Sequence, residues 1–181
     1  LYFGDMTRLR KMNFLIRVMR KVVDEMPEAH LLMVGSGDTP TDLEELKKET
    51  HSLGIEDEVT FTGFISRSDI PAYIAAADVG VSPIRPIPLF YISSPTKLVE
   101  TLGMAKPIVA NDIPEQKFLI EESGGGICVP YDETAFSIAI LELLKDPLKA
   151  SEMGSCGRSY IEKNRSNEAF ADLLEDIYAR L

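Results

Sequence analysis

The chain has 181 residues, 19 Lys and Arg against 29 Asp and Glu, a formal charge of -10, and a composition that is 45% hydrophobic and 27% charged. These figures describe one globular domain with a sizeable core and exclude a disordered chain, a collagen-like repeat and a disulfide-stapled scaffold. The acidic balance, with no lysine- and arginine-rich tract, also excludes a general nucleic-acid binder, because phosphate neutralisation normally supplies that affinity.

Leu1-Tyr2-Phe3-Gly4 opens on an apolar run without an initiator Met and reads as a first strand ended by glycine, in a chain expected to be part of something longer. Met12, Leu15, Ile16, Met19, Val22, Val23 and Met26 then recur at intervals of three and four, which predicts a helix stopped by Pro27. Leu31-Leu32-Met33-Val34 is a strand buried on both faces, closed by Gly35-Ser36-Gly37. An acidic surface helix follows over 41–53, then a strand over 59–63, a helix over 68–76 and a strand over 79–82. Pro83, Pro86 and Pro88 cannot donate to a ladder, so residues 83–89 are expected as a loop. Ser94-Pro95-Thr96 opens a helix to about Leu102, with strands at 107–110 and 126–129. From Glu133 onward the chain is nearly all helical: Phe136, Ala139, Ile140, Leu143 and Leu144 share one face, and Phe170, Leu173, Leu174, Ile177 and Tyr178 another. The alternation predicts an α/β fold with a mostly parallel sheet of about six strands, whose ligands sit at the carboxyl ends of the strands.

Cys128 and Cys156 form neither a CxxC pair nor a cluster with histidine, so a reduced compartment is expected and no metal site. No run reaches the roughly 18 residues that a membrane-spanning helix needs. His30 and His51 fall away from the ligand edge, and no serine sits in a GxSxG elbow, which argues against nucleophilic hydrolysis. The strongest local signal is Ser93-Ser94-Pro95-Thr96-Lys97-Leu98-Val99-Glu100. Ser94 suits a cap and Pro95 the first helical position, and free first-turn amides beside Lys97 suit a phosphate. Glu100, three residues on, suits two sugar hydroxyls; the competing reading is a solvated Lys97–Glu100 pair. Gly35-Ser36-Gly37 lacks the GxGxxG and Walker patterns, so by itself it is a tight turn. Lys11 gains weight because the fold places its loop on the edge that carries Lys97.

Several blocks occur together and in order: Gly4, Arg10-Lys11, 31–37, 59–64, 76–83 and 95–110. In this the chain resembles the family 4, or group 1, glycosyltransferases over almost its whole length. The resemblance implies a Rossmann-like, doubly wound sheet forming the C-terminal half of a GT-B enzyme. Residues 1–181 would then be a single donor-binding domain, with 133–181 its mainly helical part, and the acceptor domain would lie outside this sequence. It implies a nucleotide-sugar-dependent transferase that moves a sugar from a nucleoside diphosphate to an acceptor hydroxyl with retention, using no metal or cofactor.

By the same resemblance, Glu100 grips the donor ribose and Lys11 neutralises the diphosphate, as the catalytic pair. Gly4, Arg10 and Gly35 belong to the donor-binding set. Phe64 and Ile65 border the base, and the turn Ser94, Pro95, Thr96, Lys97 and Leu98 meets phosphate and sugar. Pro86, Pro88, Phe90 and Tyr91 shape the sugar end. The implied partners are a nucleotide-sugar donor, the N-terminal acceptor domain and a sugar or lipid-linked acceptor. The implied location is the cytoplasm or the inner membrane face, in polysaccharide biosynthesis, with the final helix packed on the acceptor domain. Two positions depart from the pattern. Ile92 stands where the first glutamate of a paired motif is expected, and Asp5 where an arginine commonly follows the glycine, leaving Arg8 or Arg10 as its substitute. These departures keep open a non-catalytic domain, beside a sugar-nucleotide epimerase of similar architecture.

Overall fold

Six short parallel strands carry the architecture: Tyr2–Phe3 (β1), Leu31–Val34 (β2), Val59–Gly63 (β3), Gly80–Ser82 (β4), Ile108–Asn111 (β5) and Gly126–Val129 (β6). They come from a computed structural model that describes residues 1–180, excepting the side chains of Asp172 and Leu173. One ladder runs β1-β2-β3 and the other β4-β5-β6, all pairs parallel. The ladders meet at Leu1, whose amine donates to the Val79 carbonyl (2.8 Å) while its carbonyl accepts from the Val81 amide (2.9 Å). The resulting order, β3-β2-β1-β4-β5-β6, reverses direction between β1 and β4, as in a doubly wound Rossmann-like sheet.

Both faces of the sheet are covered, and the strand residues divide between them with period two. Tyr2, Leu31, Met33, Val81 and Val109 enter a core with helix Asn13–Glu25 (α1), helix Pro40–Ser52 (α2) and helix Glu133–Lys145 (α7). Phe14 joins α1 to this core by stacking on Tyr131 and meeting Phe136 edge-on. On the opposite face, Leu1, Phe3 and Val34 pack on helix Ile70–Ala76 (α3). Ile108 and Ala110 pack among helix Thr96–Gly103 (α5), helix Pro114–Ser123 (α6) and helix Pro147–Asn164 (α8).

Three local details differ from the expectations. The proline-rich loop contains one helical turn, Pro88–Tyr91 (α4), because Pro88 occupies a first-turn position where no donor is needed. Residues 111–125, in which the apolar pattern marks no element, contain α6, which is polar enough to blur its period and is closed by Gly124 at φ 62. Helix α5 begins one residue late. Pro95 is its cap, with ψ 106, and Ser94 makes no capping bond; the Ser93 hydroxyl instead donates to the Phe90 carbonyl (2.7 Å).

The loop between β4 and α5 is fixed from beneath by buried polar side chains. Asn111 accepts from the Ile84 amide (2.7 Å) and donates to the Ile84 carbonyl (2.9 Å), imitating a strand partner. Gln116 accepts from Ser82 (2.5 Å) and donates to the Asn111 carbonyl (3.0 Å). The last helix, Asn167–Tyr178 (α9), leaves Phe170, Leu174, Ile177 and Tyr178 exposed. The side chain of Leu173, assigned to the same face, and Leu181, the last residue of that segment, lie outside the described residues. Among the described residues no helix is long and apolar enough to cross a membrane.

Candidate functional site

At the carboxyl ends of β1, β2 and β3 the chain backbones converge. Gly4 N–H donates to Val34 O (2.9 Å), Gly35 N–H to Gly63 O (3.1 Å) and Met6 N–H to Ser36 O (2.9 Å). Glycine is required at position 35: φ is +132, and a Cβ there would lie 2.1 Å from the Gly4 carbonyl oxygen. The turn that composition alone reads as ordinary is thus a close backbone approach.

Opposite this wall stands the start of α5, and between the two lies a cleft of about 590 Å³. Gly4, Gly35, Phe64, Ile65, Thr96, Lys97 and Glu100 line it, as do Asp5, Asp38, Arg67 and Ile70. The cleft lies where the strand order reverses, the position at which doubly wound sheets take ligands. A larger cavity of about 750 Å³ opens at the other edge of the sheet, around Leu1, Val79, Pro107 and Leu143. Pro147 at the start of α8 lines it, but no glycine loops converge there and it lies away from the carboxyl ends of the strands, so position and chemistry rather than size select the smaller cleft.

Lys97 and Glu100 do not pair with each other. The Lys97 ammonium lies 4.0 Å from the centroid of the Tyr2 ring and 3.3 Å from where a Cβ on Gly4 would stand. Among the described residues it has no carboxylate within ion-pair distance. Burial, and then the neighbouring Arg10, push its pKa down to about 7, against an opposing pull from Asp5 and Glu100. Glu100 instead reaches across the cleft to Arg67, with Nη2 to Oε1 at 3.6 Å. The Leu98 amide is already bonded to the Pro95 carbonyl (3.1 Å). The unbonded first-turn donors, among the described residues, are therefore those of Thr96 and Lys97.

Other expected site residues lie apart from the cleft. Leu98 is fully buried beneath α5, so its side chain is core. Ser94 and Pro95 lie outside the lining. Lys11 is exposed at the end of the turn Arg8–Arg10, with φ 54, and is not part of the cleft lining. Arg10 lies over the Phe90 ring (4.6 Å) and 3.8 Å from Asp5, linking the first loop to α4. Arg8 pairs with Glu45 on α2. The Asp5 carboxylate accepts from the Thr7 amide (3.2 Å) and hydroxyl (3.4 Å). Its charge is thereby engaged on its own turn.

His30 and His51 bond Thr60 (2.8 Å) and Glu56 (2.8 Å), remote from the cleft. Ile92 is 89% exposed and not part of the lining. Among the described residues no group of His, Cys, Asp and Glu is placed to hold a metal ion. Asp38, Arg67 and Ile70 are lining residues that sequence reasoning misses, and Arg67 is the charged one that meets a predicted site residue. Arg67 lies in a polar loop with no local pattern, and its only signal is its place three residues after the exposed Phe64.

Comparison with known proteins bears on this cleft. The profile of the family described as "Glycosyl transferases group 1" matches residues 1–146. Alpha-D-kanosaminyltransferase of Streptomyces kanamyceticus is 28% identical over 100% of this chain and 45% of its own length. A Mycobacterium tuberculosis protein named GDP-mannose-dependent alpha-(1-6)-phosphatidylinositol monomannoside mannosyltransferase is 30% identical over 82% of this chain and 38% of its own. The chain thus spans less than half the length of these curated relatives. The solved structure of Anabaena HepE with UDP and glucose has the same fold, at a TM-score of 0.84 and 21% identity, covering 99% of this chain and 47% of that one.

Proposed function

This chain belongs to the group 1 glycosyltransferases, and from that premise we propose that its cleft binds the nucleoside-diphosphate sugar donor of a retaining glycosyltransferase. One observation carries the reading: two free amides at the start of α5, the Lys97 ammonium and the Glu100 carboxylate share a single cleft at the strand-order reversal. The diphosphate meets Lys97 and the amides of Thr96 and Lys97, where positive charge is already in place as the leaving group gains negative charge. The ribose meets Glu100. The base lies against Phe64, Ile65 and Ile70.

On this reading residues 1–181 are the donor half, and the acceptor hydroxyl and the closure of the site come from the remainder of a longer protein. Lys11, which the resemblance places on the diphosphate, takes that role only if its side chain turns into the cleft. The relatives leave the base open, since one is named for GDP-mannose and another structure holds UDP and glucose. Titration calorimetry with UDP, GDP and ADP tests the reading. One diphosphate is expected to bind selectively and to be weakened by both Lys97→Ala and Glu100→Ala. Failure of the folded protein to bind any of the three sinks it and favours a domain that has lost its donor.

A further inference from the structure

Glu100 stands one turn into α5 and is 34% exposed, a position from which a carboxylate samples several rotamers. Its nearest cation along the helix is Lys97, but that ammonium lies over the Tyr2 ring and not within ion-pair distance of Glu100. The one cation within ion-pair distance of Glu100, among the described residues, is Arg67 on the opposite wall, and Glu100 is likewise the one carboxylate that near to Arg67. The pair spans the cleft from the β3–α3 turn to α5, and both residues line it.

Resting on the reading of the cleft as a donor site, we infer that Arg67 is a positioning residue that holds the Glu100 carboxylate across the cleft to receive the ribose hydroxyls of the nucleotide. The chemistry of the two groups favours this division. A guanidinium only donates and a carboxylate only accepts, and a carboxylate has about four lone-pair directions. The single contact at Oε1 leaves Oε2 and the remaining directions free for two hydroxyl donors. Arg67 follows Phe64 and Ile65 in the same loop, so the group that orients the ribose carboxylate is tied to the wall assigned to the base. Fixing that carboxylate before the ligand arrives lowers the ordering cost of binding.

Arg67 is 92% exposed, and such a pair adds little to folding. The effect should therefore appear in ligand selectivity and not in stability. The experiment is titration calorimetry of UDP, GDP and ADP, each beside its 2′,3′-dideoxy counterpart, against wild type, Arg67→Ala, Arg67→Lys, Glu100→Gln and the Arg67→Ala/Glu100→Gln double variant. Wild type is expected to prefer the ribonucleotide by about tenfold or more, the worth of hydrogen bonds to a charged acceptor. Arg67→Ala should reduce that preference by about threefold, the scale of an exposed pair, with an unchanged melting temperature. The double variant should lose no more than Glu100→Gln alone, and Arg67→Lys should recover part of the Arg67→Ala loss.

If Arg67→Ala weakens ribo and dideoxy ligands equally, the arginine is a plain charge contact and the inference fails. It fails too if binding tightens, because Arg67 would then be a competitor for Glu100. Absence of binding by wild type would instead overturn the donor-site reading on which the inference rests.

Discussion

On one side of the cleft the ends of β1, β2 and β3 meet backbone to backbone, through Gly4, Gly35 and Gly63. On the other, α5 offers Lys97 and Glu100 as side chains, and the loop before it rests on Asn111 and Gln116. The first wall is shaped by the absence of side chains, so adding one atom should break it. The second is shaped by charge and amide groups, so removing atoms should break it. On the proposed donor-site reading, the first wall serves folding and the second recognition.

The largest expected effect is on the backbone wall. Gly35→Ala must place a Cβ against the Gly4 carbonyl at φ +132, and should cost at least about 3 kcal/mol of stability, read by urea denaturation. A cost near zero would mean that the first two loops separate easily, and would erase the contrast. On the side-chain wall, Lys97→Ala should leave folding intact while weakening nucleoside diphosphates by about thirtyfold, the worth of a charge-assisted contact. Lys11→Ala is the matched control, and calorimetry should find a loss of less than about threefold for an exposed cation outside the lining. Equal losses would show that Lys11 swings inward, as the resemblance implies.

Asn111→Ala leaves the Ile84 amide and carbonyl without partners, and should cost about 1.5 kcal/mol. It should leave affinity for the bare diphosphate nearly unchanged, because residues 83–92 lie outside the cleft lining. The smallest effect is on pH dependence. The free Lys97 ammonium titrates near 7, and a bound diphosphate raises that value, so binding takes up a proton above neutrality. Affinity should fall as pH rises through about 7 and beyond, and Lys97→Met should flatten the profile. The same depressed pKa means that the unfolded chain binds more protons than the folded one between about 7 and 10.5. The contribution of Lys97 to stability therefore improves with rising pH across that window. A profile identical in wild type and Lys97→Met would remove Lys97 from the binding event.

Much of the fold is legible in the chain because burial has a period. The runs 31–34 and 126–129 are strands as read, and the three- and four-residue recurrence from Met12 to Met26 is α1. Helix α6 escapes because its buried members include Gln116 and Ser123, which do not register in an apolar pattern. The start of α5 escapes by one residue, since Ser94 and Pro95 suit a cap and a first turn equally well in one dimension.

The site divides in the same way. Lys97, Glu100 and the glycine turns stand in short local motifs, so the sequence by itself determined their presence, the α/β class and the edge of the sheet that they occupy. Tertiary structure alone decided the partners. Lys97 turns to Tyr2 and Glu100 to Arg67, although the two are near neighbours on one helix, because groups distant in sequence offer them an aromatic face and an opposing charge. Helical spacing states which side chains can meet on one surface. It carries no information about what the opposite wall brings within reach, and that is set by packing between strands that are remote in the chain.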